Sequence, residues 1–214
     1  MARSLVLSGG GKFADPWHPF ARTSARLADV LWSLGHQVEV TDFVADRVAD
    51  LSGFDLIVVN AAAGPGGTAA ARDGLRAALD RGVAVLAMHV GVCTLLRLPE
   101  WEAVTGAAWV PGRTAHPPLG PAHVHTHQDR HPIVAPIADF GLVDERYTGL
   151  RLAGGIVPLA SHRHGGRLYP LVWAREVGRS RVVADTLGHG VESYESPGHR
   201  RLLSRAVQWL MGDC

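Results

Sequence analysis

At 214 residues, with 47% hydrophobic and 19% charged side chains, the chain has the size and composition of one globular domain with a substantial core, which excludes a disordered protein. Its 21 Lys and Arg residues nearly cancel 20 Asp and Glu, so no strong field exists to recruit nucleic acid or an anionic membrane surface. Two cysteines, Cys93 and Cys214, are too few for a disulfide framework, and the apolar runs are too short for a signal peptide or a bilayer span. The expectation is a soluble, reduced, cytoplasmic protein. Twelve histidines are the compositional excess that a function has to account for.

Leu5-Val6-Leu7 is a short apolar run stopped by Ser8-Gly9-Gly10-Gly11, as in a buried strand that enters a loop. Phe20, Leu27, Leu31 and Leu34 then recur at helical spacing, and Gly35 ends the helix. Residues 36–41 alternate as a second strand, and residues 54–59 form a third that is apolar at consecutive positions, as expected when both faces are covered. An Ala-rich helix over residues 68–81 closes at Gly82, and residues 83–88 form a fourth buried run landing on His89. Strand and helix alternate throughout, which predicts a parallel sheet with right-handed crossovers and a ligand site beyond the carboxyl ends of the strands. Those ends carry Gly10, Gly11, Asn60 and His89, which are therefore candidate ligand contacts.

The second half reads as short strands over residues 109–116, 122–127, 156–161, 171–176 and 181–185, separated by Gly, Pro and Asp turns. Ser196-Pro197 opens a last helix with an apolar stripe of Leu202, Leu203, Ala206, Val207 and Leu210. There is no internal repeat and no linker, so residues 1–214 count as a single domain.

Several phrases in order along nearly the whole chain resemble the trehalose-utilisation (ThuA-like) family, a branch of the class I glutamine-amidotransferase-like fold. They are Ser8-Gly9-Gly10-Gly11, His18-Pro19-Phe20, Phe54-Asp55-Leu56-Ile57-Val58-Val59-Asn60, Ala87-Met88-His89 and Gly112-Arg113-Thr114-Ala115-His116-Pro117-Pro118. Further along come His131-Pro132-Ile133, Asp144-Glu145-Arg146-Tyr147, Pro170-Leu171-Val172-Trp173, Leu187-Gly188-His189 and Pro197-Gly198-His199-Arg200-Arg201. The resemblance implies an α/β, flavodoxin-like sheet with helices on both faces and extra strands in the C-terminal half. It also implies a role around trehalose and related disaccharides, including their 3-keto forms. Many relatives carry an acidic residue where Gly190 stands here, so that side chain's role is absent.

His89 occupies the strand-to-helix turn where an amidotransferase places its cysteine, a position that suits a general base or a metal ligand. Cys93 lies a full turn beyond it and no His-x-Glu pair follows late in the chain, so glutamine hydrolysis is disfavoured and Cys93 reads as a small buried hydrophobe. Glu145 and Tyr147 share one side of an extended segment and suit a sugar hydroxyl or a proton-transfer pair. His189, between Gly188 and Gly190, sits where the backbone can approach a ligand closely. His116, stiffened by the prolines after it, joins the site mainly through the family match.

Together His89, His189 and Glu145 would meet the minimum for an open divalent-metal site, zinc first, although no compact motif such as His-Glu-x-x-His is present. His123, His125 and His127 alternate along one strand face; the pattern fits metal binding, and it fits the polar face of an edge strand, the reading preferred here. His162 and His164 beside Gly165-Gly166 read as a turn tip. The glycines after residue 8 fail the Walker pattern at Val6 and Phe13 and fail the dinucleotide spacing at Phe13 and Ala14. Trp17, Trp101, Trp109 and Trp173 are either core or a sugar-stacking face.

Two functions are open. The first is an enzyme acting on a small carbohydrate, such as a disaccharide or its 3-keto derivative. His89, Glu145 and His189 would be catalytic, and Gly10, Gly11, Asn60, His116 and Tyr147 would bind substrate. The second is a non-catalytic sugar-binding or regulatory domain on the same scaffold. Neither involves nucleic acid or a membrane, and both leave a homo-oligomer open.

Overall fold

The computed structural model describes residues 1–213, and Cys214 lies outside the described residues. The strands are β1 (Arg3–Ser8), β2 (Gln37–Thr41), β3 (Leu56–Asn60), β4 (Ala84–Met88), β5 (Ala107–Ala108), β6 (Gly120–Thr126), β7 (Phe140–Asp144), β8 (Arg151–Leu152), β9 (Val157–His164), β10 (Arg167–Val177) and β11 (Ser180–Asp185). The helices are α1 (Phe20–Ser33), α2 (Val44–Ala49), α3 (Ala69–Arg81), α4 (Val90–Cys93), α5 (Trp101–Thr105) and α6 (Pro197–Met211).

Among the described residues, nine strands form one sheet in the order β2-β1-β3-β4-β11-β10-β9-β6-β7. The five strands from β2 to β11 are parallel. From β11 outward every pairing is antiparallel. Four reversals restore the direction of the chain, so β7 ends at the same rim as β4 and β11.

Side chains alternate across the parallel strands onto two cores. Leu5, Leu7, Ile57, Val59 and Val85 pack with Val44, Val48, Leu75, Ala78 and Trp101 of α2, α3 and α5. Val6, Val58, Leu86 and Val183 pack with Leu27, Leu31, Leu202, Leu203 and Ala206 of α1 and α6. Helices on both faces explain why β4 is apolar at every position and β3 at all but its last, Asn60, since each buried Val or Leu contributes roughly 1.5–3 kcal/mol. Local signals agree with these elements. Thr68 Oγ1 accepts from the amide of Ala71 at 3.1 Å to start α3, and Gly82 ends it at φ 86°.

Two expectations are corrected. Residues 109–116 are a turn rather than a strand: Gly112 takes φ 75° and Thr114 Oγ1 accepts from the amide of Val110 at 2.9 Å. The strand carrying His123 and His125 is no edge, because β6 lies between β9 and β7. The partner that covers it, β7, contains Gly141, which weakens its strand signal. The helix α2 was likewise not expected.

Gly74 in α3 faces the carbonyl of Val48 so closely that a Cβ there would collide with backbone. Alanine in a helix ordinarily gains about 1 kcal/mol over glycine. Overpacking against an atom that cannot rotate away costs about 1–3 kcal/mol and wins here. Gly74→Ala is therefore expected to lower the urea midpoint, and a midpoint raised by the substitution would show that α2 and α3 separate freely.

Candidate functional site

His89 follows β4 directly and holds φ 45°, ψ −118°, a conformation costly for a side chain with a Cβ. Its amide donates to Asp185 O at 2.7 Å and its Nδ1–H donates to Thr186 O at 2.8 Å, so β11 fixes both backbone and ring. The second bond leaves Nε2 as the free nitrogen. The side chain forms the floor of the site, with the residue 1% exposed. Burial pushes its imidazole down to about 3, against the opposing pull of the Thr186 carbonyl, so the ring is neutral.

Three more donors meet that nitrogen. His18 Nε2 lies 3.1 Å from His89 Nε2, and His189 Nδ1 lies 3.3 Å from it. Glu145 Oε2 is 3.7 Å from His89 Nε2 and 3.3 Å from His189 Nδ1. All four donor atoms lie within 4.8 Å of one another. His18 is held by Asp15, whose carboxylate oxygens accept from its Nδ1 at 2.7 Å and whose Oδ1 accepts from its amide at 3.0 Å. A carboxylate behind an imidazole is the usual support of a metal-ligating histidine.

The arrangement is electrostatically incomplete by itself. With Nδ1 of His18 spent on Asp15 and Nδ1 of His89 spent on Thr186, neutral rings point two lone pairs at each other across 3.1 Å. A cation or a shared proton is needed to make that contact attractive. Donors placed 2.0–2.1 Å from one tetrahedral zinc are about 3.3 Å apart, close to the spacings found here. Three imidazoles and a carboxylate fit zinc better than magnesium or calcium.

Above the four donors a cleft of about 550 Å³ is lined by Asp15, Trp17, His18, Trp109, His116, Glu145, Tyr147 and His189, among others. The hydroxyl of the buried Tyr147 lies 3.3 Å from His89 Nε2, and burial holds its phenol well above the usual range. His116 Nδ1 lies 3.5 Å from Glu145 Oε1. Burial alone would raise the Glu145 carboxyl, but the hydrogen bond from His189 and the charges of His189, His116 and His89 bring it below its ordinary value. The same hydrogen bond raises His189.

His89, Glu145, His189, His116 and Tyr147 thus converge from distant stretches of chain. Glu145 and Tyr147 share a side although the segment after β7 is irregular, not a strand. Trp17 and Trp109 flank the cleft, while Trp101 and Trp173 are core. Asn60 does not reach it: its amide donates to Thr23 Oγ1 and Ser24 Oγ, both at 2.9 Å, and locks α1 to β3. Gly10 packs on Asp42, and Gly11 uses φ 50° to turn the chain toward Asp15 and His18. Cys93 is no nucleophile, since burial pushes its thiol up to about 12. His162 is not at a turn tip: it lies inside β9, is buried, and donates from Nε2 to the Tyr147 carbonyl at 3.1 Å. His18 is the residue that sequence reasoning missed, and Asp15 three positions before it was the available signal.

Behind the site runs a buried polar chain. Asp144 accepts from the amides of Gly188 at 2.7 Å and His189 at 3.1 Å and from Ser193 Oγ at 2.5 Å. Ser193 Oγ meets His199 Nδ1 at 2.9 Å, and His199 Nε2 donates to Asp185 Oδ2 at 3.0 Å. Burial would lower His199, but the charge and hydrogen bond of Asp185, with Asp144 beyond, raise it above its ordinary value.

An open α/β sheet whose fourth strand ends on a buried histidine, with further histidines gathered around it, has the amidotransferase-like fold. The chain belongs to the ThuA family, described as trehalose utilisation, whose model matches residues 5–210. A ThuA-like protein of Parabacteroides merdae superposes with TM-score 0.82 at 18% identity, over 98% of this chain and 89% of that one. The β-galactosidase of Rahnella sp. R3 gives 0.67 at 15% identity, over 100% of this chain and 32% of that one. A glutamine amidotransferase of Thermotoga maritima gives 0.58 at 12% identity, over 98% and 97%. At these identities the likenesses show the fold. By sequence, no curated protein matches the chain.

A raised folded-state histidine contributes stability that is fully present below its unfolded value, near 6.5, and lost as pH rises through the folded value. The stability difference between wild type and His199→Gln, read by denaturant titration, should therefore be largest below pH 6.5 and shrink toward alkaline pH. A difference that grows with pH would mean His199 is neutral in the folded protein.

Proposed function

We propose that the chain is a sugar-metabolism enzyme whose His18, His89, Glu145 and His189 bind one divalent metal ion, zinc first, and which acts on a small carbohydrate such as a disaccharide or its 3-keto derivative. The observation that carries the reading is the pair of imidazole nitrogens facing one another at 3.1 Å with both remaining nitrogens already spent. The family's description as trehalose utilisation supports the sugar. The free thiol at Cys93 suits a reducing, cytoplasmic setting.

When bound, such an ion polarises a sugar carbonyl or activates a water molecule near neutral pH. The chain's own residues supply the rest. Trp17 and Trp109 offer flat faces to a sugar ring over the site. Glu145 is ionised and reaches the cleft, so it can accept a proton from a substrate hydroxyl or a water. His116, beside it and exposed, can return that proton to the product side. Tyr147 keeps its proton and, with His89 Nε2 given to the ion, can donate it to a substrate oxygen.

Untagged protein is expected to hold zinc at this centre, and His89→Ala to lose it together with turnover of 3-keto-disaccharides while keeping the fold by circular dichroism. Asp15→Ala, which frees the His18 ring, should weaken metal affinity about 10–100-fold. Trp109→Ala should raise KM about tenfold with kcat little changed, as loss of stacking demands. Wild-type protein that binds the disaccharide but turns nothing over, with or without metal, would leave the non-catalytic binding domain standing.

A further inference from the structure

A second group of histidines lies outside this site and takes no part in it. His123 and His125, two residues apart on β6, project from the same face. In the β6–β7 ladder His123 lies opposite Gly141, so no side chain from the partner strand crowds it. Asp139 immediately precedes β7 and reaches both rings through one oxygen: Oδ2 is 3.4 Å from His123 Nε2 and 3.0 Å from His125 Nδ1. Its other oxygen is already engaged, accepting from the Thr126 amide at 2.8 Å and from Thr126 Oγ1 at 3.3 Å. The carboxylate is thus aimed, with one oxygen holding the hairpin and the other presented to two imidazoles.

We propose that His123, His125 and Asp139 form a second divalent-cation site that takes a borderline transition ion such as zinc or cobalt(II). The three donor atoms lie within 4.8 Å of one another. The two separations from Asp139 Oδ2 bracket the roughly 3.3 Å expected between donors on one tetrahedral ion. Two imidazoles with one carboxylate select zinc, cobalt or nickel over magnesium or calcium. The rings are 38% and 62% exposed and leave the remaining coordination positions to water. The site is separate from the central one, because residues 139 to 145 run along β7 for about 20 Å.

Its consequence is mechanical. The ion would tie the end of β6 to the start of β7 across the excursion of residues 127–138. The other end of β7 delivers Asp144 and Glu145 to the cleft. Binding to the folded hairpin and not to the unfolded chain stabilises that strand.

Untagged protein stripped with chelator and titrated with cobalt(II), whose visible absorption reports ligation, is expected to take up one equivalent here. Asp139→Asn, which keeps an oxygen for Thr126 and hence the hairpin, and His123→Ala should each lose that equivalent, while His89→Gln keeps it. Cobalt should also slow hydrogen exchange of the Thr126 amide in wild type and leave it unchanged in Asp139→Asn. Uptake unaltered in both surface variants overturns the proposal. Loss in His89→Gln alone does so too, while sparing the central metal. Loss in the surface variants with none in His89→Gln supports this site and removes the central one.

Discussion

The hydrogen bond from His89 Nδ1–H to the Thr186 carbonyl organises the rim of the sheet that carries the histidine cluster. It joins the residue after β4 to the residue after β11, neighbouring strands whose own ladder ends one step earlier. It selects the ring's tautomer, compensates part of the strain of a histidine at φ 45°, and commits Nε2 to the donor cluster. Once that nitrogen is placed, the other donors are arranged around it. His18 arrives on a loop after β1, His189 on a loop after β11, and Glu145 after β7.

Each of those arrivals has a support of its own. Asp15 holds the His18 ring, and Asp144 holds the backbone that carries His189 while directly preceding Glu145. A carboxylate as buried as Asp144 would be raised out of its charged form by burial, and its donors oppose that rise. His199, raised above its ordinary value beside Asp185, lies close enough to oppose that rise as well, although burial still leaves the Asp144 carboxyl above its usual range. Polar groups with every partner supplied are rigid, and rigidity is what a constellation of donors about 3 Å apart requires.

The parallel half of this architecture is legible in the sequence because its signals are local. Consecutive apolar residues ending on His89, or Ala-rich helical spacing ending on Gly82, depend on nothing distant. The accessory half is read less well. Residues 109–116 look like a strand by composition, yet Gly112 and Thr114 fold them into a turn, and that turn delivers Trp109 and His116 to the cleft. β7 carries a glycine within five residues, so its strand signal is weak, the covering of β6 is not legible, and the histidines of β6 read as an edge. Asn60 occupies the rim position where a ligand contact is expected, but Thr23 and Ser24 capture its amide. His18 stands 71 residues from the ring it meets, and no spacing rule spans such a gap.

The return of β7 to the direction of the parallel strands carries a constraint of parity. Glu145 reaches the histidines only because an even number of turnabouts separates its strand from β11. Lineages on this scaffold can therefore lengthen or shorten the accessory region by whole hairpins and keep the carboxylate. Gain or loss of one strand would send it to the opposite end of the sheet, far from the imidazoles.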